Sequence, residues 1–133
     1  MQDACMPAAA SEISANSFKI YIIFQKGRKN MPKVYNGDMN KIMDITGKKA
    51  VIIGGAGGFG KAIAKGFAEC GCDVLISSRR EEALKEAKAE IEETAAKGVK
   101  VCYFAGDAGD EATVIKMLEY TVSKDGIGGC DIL

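Results

Sequence analysis

From Lys48 to the last residue, short apolar segments alternate with longer segments of helical period. The short segments have near-continuous apolar centres, which is typical of strands buried on both faces of a parallel sheet. The longer segments have the length and period of helices that cover such a sheet. The pattern predicts an α/β fold with a doubly wound parallel sheet, truncated after the start of a fourth strand. The predicted strands are Lys49–Ile53, Asp73–Ser77, Lys100–Phe104 and Cys130–Leu133, and the predicted helices are Phe59–Cys70, Glu81–Lys97 and a third that Asp110 caps.

Each predicted helix has an apolar stripe that should face the sheet. Gly71 and Gly98 follow the first two helices at positions where glycine commonly ends a helix. Both prolines of the chain precede residue 45, so nothing in the later part interrupts long helices. The predicted stripes are Ile63, Phe67 and Cys70 in the first helix, Leu84, Ala87, Ile91 and Ala95 in the second, and Ile115, Leu118 and Val122 in the third.

Residues 1–45 show no sustained period of 3.6 or 2. A segment without an apolar period can bury little surface to offset an ordering entropy of ~1–2 kcal/mol per residue. The basic run Lys26–Lys29 is interpreted as solvated rather than as a phosphate or nucleic-acid patch. We therefore expect a disordered leader or extension at residues 1–45, and one domain at residues 46–133.

Composition excludes several classes of function. Lys plus Arg and Asp plus Glu are both 18, and this zero net charge argues against a basic nucleic-acid-binding protein. The chain has no histidine, which excludes an imidazole general base, a His-ligated zinc site and a Ser-His-Asp triad. The apolar run Ile20–Phe24 is too short for a signal peptide or a membrane span. Without an export signal, we expect reduced, mostly buried cysteines, a cytoplasmic location and no metal site.

A glycine-rich turn joins the first predicted strand directly to the first predicted helix. Residues without a side chain let backbone N–H groups approach a pyrophosphate, whose charge then faces the positive end of the helix dipole. The turn fits two dinucleotide-binding spacings, Gly-x-Gly-x-x-Gly and Gly-x-x-x-Gly-x-Gly, and its place between strand and helix favours binding over a tight turn alone. The residues of this glycine turn are Gly54, Gly55, Ala56, Gly57, Gly58, Phe59 and Gly60.

The second predicted strand ends without an acidic residue, in the sequence Ser77-Ser78-Arg79-Arg80. Proteins that bind NAD commonly carry an acid there, about 20 residues after the glycines, to bond the ribose 2′-hydroxyl. A carboxylate would repel a 2′-phosphate, whereas a guanidinium can hold one bidentately beside a hydroxyl donor. Ser78 and Arg79 therefore predict NADP rather than NAD as the cofactor. Arg80 is interpreted as the solvated start of the second helix.

These features resemble the short-chain dehydrogenase/reductase family over roughly Asp44–Leu133. The family's opening motif, Thr-Gly-x-x-x-Gly-x-Gly, matches Ile53–Gly60 at every glycine. Ile53 replaces the threonine of this motif. The hydrogen bond that the threonine side chain gives the turn in the family is therefore missing here. Asp107 resembles the aspartate that contacts adenine after the third strand. The resemblance implies a Rossmann-like half-domain that binds the cofactor through the glycine turn, Ser78, Arg79, Asp107 and Ala108.

By this resemblance, the parent protein transfers hydride between a nicotinamide cofactor and a small carbonyl or alcohol substrate. The family's Asn, Ser, Tyr and Lys, which carry the catalysis, lie beyond Leu133. No catalytic residue is therefore assigned here, and the chain alone is expected to be inactive. The segment Asp44–Ala50 also resembles members that act on sugar acids, polyols or 3-oxoacyl thioesters. Family members are usually homo-oligomers, and neither a nucleic-acid nor a membrane partner is implied.

Two other interpretations stay open at this point. Another NADP-dependent Rossmann reductase, of the prephenate dehydrogenase or deazaflavin-linked groups, could share the glycine turn and the Ser-Arg pair. Asp107, the long second helix and the final Asp-Ile-Leu argue against that interpretation. The chain could also be a nucleotide-binding or regulatory module without catalysis.

Overall fold

The computed structural model describes residues 44–133. The predicted extension, residues 1–45, lies outside the described residues except for its last two. Within the described range, three strands alternate with three helices, as the sequence pattern predicts. The elements are β1 (Lys49–Ile53), α1 (Gly58–Glu69), β2 (Asp73–Ser78), α2 (Glu81–Thr94), β3 (Val101–Ala105) and α3 (Glu111–Val122).

The strands form one parallel sheet in the order β1-β2-β3. On the other side of β1, Ala50 forms a parallel bridge with Ile132, and the N–H of Val51 donates to Ile132 O at 2.9 Å. The fourth strand predicted at Cys130–Leu133 is thus represented by a single bridge. Its position beside β1 is the one that the 3-2-1-4 strand order requires.

Helices cover both faces of this sheet. On one face, α1 and α2 pack against β2 and β3, in a buried cluster that includes Ile76, Leu84 and Ile91. On the other face, α3 packs in a cluster that includes Leu75 and Leu118. Leu75 and Ile76 belong to different clusters because successive residues of a strand point to opposite faces. The predicted doubly wound α/β arrangement is confirmed.

The buried face of α1 differs from the predicted stripe. Ile63 is 49% exposed and Cys70 is exposed, whereas Ala64 and Ala68 are fully buried. Only Phe67 of the predicted stripe packs against the core. Alanines spaced four residues apart let the helix backbone approach the sheet closely, and a larger side chain on that face would hold the helix away.

The second helix ends at Thr94, three residues earlier than predicted. Ala95 turns to an extended conformation with ψ of 143°, and the N–H of Ala96 donates to Ala68 O of α1 at 2.9 Å. Gly98 follows in a turn with φ of +89°. A contact with α1 therefore replaces the last predicted helical turn.

None of the helices in residues 44–133 is both long and apolar enough to cross a membrane.

Asp110 caps α3, as the sequence predicts. Its carboxylate accepts from the Thr113 N–H at 2.9 Å and from the Thr113 hydroxyl at 2.5 Å. These two hydrogen bonds stabilise the charged form and lower the pKa of the Asp110 carboxyl.

We expect Asp110→Ala to lower the thermal stability of the chain at neutral pH. Because the pKa of Asp110 is lower in the folded state, its stabilising contribution is present above the unfolded-state pKa of about 3.9 and is lost as the pH falls through the folded-state pKa. The difference in midpoint between wild type and variant should therefore shrink in acid. Glu119→Ala, which removes an exposed carboxylate from the same helix, is the control. A difference that stayed constant from neutral pH into acid would contradict this prediction.

Candidate cofactor site

The glycine turn is hydrogen-bonded to the end of β2. Directly after β1, Gly54 takes a φ of +81°, in the left-handed region that favours glycine. The N–H groups of Gly54 and Gly55 both donate to Ser77 O, at 2.7 and 3.1 Å. These bonds hold the turn beside the strand end that carries Ser78 and Arg79.

Two glycines of the turn leave no room for a side chain. A Cβ on Gly55 would lie 2.5 Å from the Cβ of Ile76 in β2. A Cβ on Gly60 would collide with the carbonyl oxygen of Gly54 and lie 3.0 Å from the Cα of Gly55. In the structure, these two glycines let the turn and the start of α1 pack closely against each other and against the sheet.

The start of α1 presents backbone N–H groups without partners. The N–H groups of Ala56, Gly58, Phe59 and Gly60 donate to no acceptor within residues 44–133. Gly57, the N-cap residue, has no side chain that could cap them, and the first turn contains no acidic residue. Free N–H groups and the positive end of the helix dipole together make this helix N terminus favourable for an anion.

A first cleft of about 500 Å³ opens between the glycine turn and the start of α2. None of the described residues that line it is acidic, and neither of its arginines forms an ion pair within residues 44–133. Arg80 is exposed, as predicted, but it lines this cleft too. The sequence interpretation of Arg80 as solvated did not include a place in this cleft. The lining residues are Gly54, Ala56, Gly57, Ser78, Arg79 and Arg80.

A second cleft of about 220 Å³ lies between the end of β2 and the loop after β3. The N–H of Gly106 donates to Ser78 O at 2.9 Å, so this loop is bound to β2 as the glycine turn is. Asp107 Oδ1 accepts from the N–H of Gly109 at 2.9 Å, which orients the carboxylate in the loop that leads to α3. The lining residues are Ile53, Gly54, Ser77, Ser78, Arg79, Gly106, Asp107 and Ala108.

The two clefts share three lining residues and together contain seven of the eleven residues predicted to bind the cofactor. The other four line neither cleft. Gly55 and Gly60 are required by packing, while Gly58 and Phe59 lie in the first turn of α1 with the Phe59 side chain 90% exposed. Sequence reasoning missed Ile53, Ser77 and Gly106, whose signal was their place at or just after the carboxyl end of a strand. The seven residues are Gly54, Ala56, Gly57, Ser78, Arg79, Asp107 and Ala108.

None of the described cysteines lines either cleft. Burial raises the pKa of the Cys72 thiol to about 11, and it raises the pKa values of Cys102 and Cys130 as well. Thiols with raised pKa values are poor nucleophiles at neutral pH, so these three side chains act in packing. Within residues 44–133, no group of three or more His, Cys, Asp or Glu side chains is placed to hold a metal ion.

The family model for short chain dehydrogenase matches residues 48–133. General stress protein 39 of Bacillus subtilis (strain 168) is 37% identical over 106 residues, which are 78% of this chain and 35% of that protein. The matched part spans about a third of the length of that protein and of an uncharacterized oxidoreductase of Thermotoga maritima, which is 39% identical over 89 residues.

Solved structures agree with the sequence comparison. The L-sorbose reductase from Gluconobacter frateurii, in complex with NADPH and L-sorbose, matches with a TM-score of 0.60 and 35% identity over 68% of this chain and 34% of that one. An NAD⁺-bound xylitol dehydrogenase matches with a TM-score of 0.55 and 29% identity over 59% of this chain and 29% of that one. The Rossmann-like fold implied by the resemblance is confirmed. With the glycine turn and both clefts at the carboxyl edge of this sheet, the chain belongs to the short-chain dehydrogenase/reductase family of oxidoreductases.

Proposed function

We propose that residues 46–133 bind NADP(H) at the carboxyl edge of the sheet, as the cofactor-binding part of a short-chain dehydrogenase/reductase. One observation carries the choice of cofactor. Ser78 and Arg79 line the first cleft together with the glycine turn, and no acidic residue is among its described lining residues. Residues 1–45 lie outside the proposed domain.

In this proposal, the pyrophosphate lies at the start of α1. The unpartnered N–H groups of Ala56, Gly58 and Phe59 supply donors there, and the helix dipole adds a favourable potential for a negative charge. Gly57 and Gly58 are exposed, so backbone at these positions can approach a phosphate without an intervening side chain.

The adenosine part would bind across the two clefts. The Arg79 guanidinium can hold a 2′-phosphate bidentately, Ser78 adds a hydroxyl donor, and Arg80 adds a second positive charge to the same cleft. In the adjoining cleft, Asp107 can accept a hydrogen bond from the adenine amino group, and Ala108 offers an apolar contact.

The proposed reaction of the whole protein is hydride transfer between the cofactor and a carbonyl or alcohol carbon, and the bound cofactor supplies that chemistry. The described residues hold and orient the cofactor, and none of them is assigned to proton transfer. For a polypeptide of these 133 residues alone, we therefore expect binding without turnover. The likeness to a reductase solved with NADPH and L-sorbose supports a sugar-related or polyol substrate, and a 3-oxoacyl thioester stays the alternative. A cytoplasmic location and a homo-oligomeric parent protein stay predictions.

Calorimetric titration of the full chain with NADPH and NADH tests the proposal. We expect tighter binding of NADPH, with a preference that rising salt reduces by screening. Arg79→Ala should lower the affinity for NADPH about ten- to a hundredfold, because hydrogen bonds to charged groups contribute roughly 1.5–3 kcal/mol. NADH, which has no 2′-phosphate, should bind the variant nearly as well as the wild type.

Lys97→Ala is the matched control for Arg79→Ala. It removes the same positive charge from an exposed position beyond the other end of α2, roughly 20 Å away along a helix of this length. We expect Lys97→Ala to leave the affinities for NADPH and NADH nearly unchanged, apart from the small effect of one lost positive charge on the whole protein. If the two cofactors bound equally and Arg79→Ala changed neither affinity, Arg79 would be only a solvated residue before α2, and the proposed cofactor would be wrong.

A further inference from the structure

An acidic residue begins α2 close to the proposed phosphate-binding arginine. Between Arg79 and Glu81 lies Arg80, whose backbone is extended, with φ of −101° and ψ of 111°. Side chains two residues apart in an extended segment leave the backbone on the same side, with Cα atoms about 6–7 Å apart. The backbone alone would therefore allow Glu81 to pair with Arg79.

Other partners hold the Glu81 carboxylate instead. Its Oε1 lies 2.9 Å from Lys85 Nζ, one turn further along α2, and accepts a hydrogen bond from the Tyr103 hydroxyl of β3 at 3.5 Å. The same two contacts, with Lys85 the larger, lower the pKa of the Glu81 carboxyl. Within residues 44–133, Arg79 forms no ion pair with any carboxylate.

We propose that Lys85 and Tyr103 are positioning residues for cofactor choice: they keep the Glu81 carboxylate away from Arg79, and so leave the Arg79 guanidinium free for a 2′-phosphate. This inference rests on the proposed function above. A carboxylate paired with Arg79 would occupy the donors that the phosphate needs, and would place a negative charge beside it. Lys85 and Tyr103 line neither cleft, so their effect on the cofactor would act through Glu81.

The double variant Lys85→Ala/Tyr103→Phe tests the inference on the full chain. We expect its NADPH affinity to fall about two- to fivefold, the range set by an exposed ion pair worth about 0.5–1 kcal/mol. NADH affinity should stay unchanged, since NADH makes no demand on the Arg79 side chain. That difference between the two cofactors is a readout that a merely structural role of Lys85 and Tyr103 would not give.

Rescue variants identify Glu81 as the intermediary. Adding Glu81→Gln to the double variant should restore NADPH binding, because the amide no longer competes for Arg79 with a full charge. Adding Glu82→Gln, which removes the neighbouring exposed carboxylate of the same turn, should not restore it. Lys85→Arg alone, which keeps a cation within reach of Glu81, should bind NADPH like the wild type.

The outcomes separate this inference from the proposed function. Unchanged NADPH affinity in the double variant, an equal loss for both cofactors, or a failed Glu81→Gln rescue would overturn the inference. If the wild type prefers NADPH and Arg79→Ala removes that preference, the proposed function stands in each of those cases. A wild type without any preference would instead refute the proposed function itself.

Discussion

Gly60→Ala should unfold at a much lower denaturant concentration than the wild type. Its new Cβ would collide with the Gly54 carbonyl oxygen and lie 2.8 Å from the Gly54 carbonyl carbon. These are backbone atoms of a turn that two hydrogen bonds fix to Ser77 O, so moving them away from the new Cβ strains those bonds. Overpacking costs about 1–3 kcal/mol and occasionally more, and we expect the upper end here. Each kcal/mol corresponds to roughly 4–8 °C in Tm for a domain of this size.

Gly58→Ala is the matched control, two residues earlier in the same helix. A Cβ on Gly58 meets no atom within 4 Å, and the φ of this residue is not left-handed. A compatible glycine-to-alanine change typically stabilises a protein by about 0.4–1 kcal/mol, through the unfolded chain. Urea unfolding followed by circular dichroism should therefore show opposite shifts for the two variants. Similar midpoints would mean that the close approach of α1 to the turn is not required for stability.

Ser78→Asp should reverse the cofactor preference. The new carboxylate would lie in the cleft that we propose for the 2′-phosphate, beside Arg79. Two like charges about 4 Å apart repel by roughly 1 kcal/mol in water and about 4 kcal/mol at an effective dielectric constant of 20. We therefore expect NADPH affinity to fall at least about fivefold. NADH affinity should rise, because a carboxylate can accept a hydrogen bond from the 2′-hydroxyl.

Ser78→Asn separates charge from size in this experiment. The amide of asparagine has nearly the shape of the aspartate carboxylate but no charge. Ser78→Asn should therefore lower the affinity for NADPH far less than Ser78→Asp does. Titration of both variants at low and high salt adds a second check, since added salt should relieve only the loss caused by the carboxylate. An unchanged ratio of NADPH to NADH affinity in both variants would show that residue 78 does not face the 2′-position.

The strands were predictable because they are short, near-continuous apolar runs, which is the pattern of strands covered on both faces of a parallel sheet. β1 has the predicted bounds, β2 is one residue longer, and β3 is displaced by one residue. Seven of the eleven predicted site residues also lie together, because parallel strands bring their carboxyl ends to one edge.

The face that α1 turns to the sheet could not be predicted from hydrophobic period. This helix is apolar on two sides, with Ile63 and Phe59 on one and the alanines Ala64 and Ala68 on the other. The period alone favours the larger side chains for the core, but the closeness of the packing selects the smaller ones. The place of Arg80 in the first cleft was not predicted for a related reason, since it depends on the extended backbone before α2 and not on residue type.

Main-chain hydrogen bonds join both loops of the proposed adenosine site to β2. The carbonyl oxygen of Ser77 accepts hydrogen bonds from the N–H groups of Gly54 and Gly55, and that of Ser78 accepts one from the N–H of Gly106. No side chain of β2 takes part in these bonds. Substitution at residue 78 can therefore alter the charge of the pocket while the frame around it keeps its shape. For an evolving lineage, a mutation at residue 78 could then shift the proposed cofactor preference without removing any of the hydrogen bonds that connect the strands to their loops at this edge.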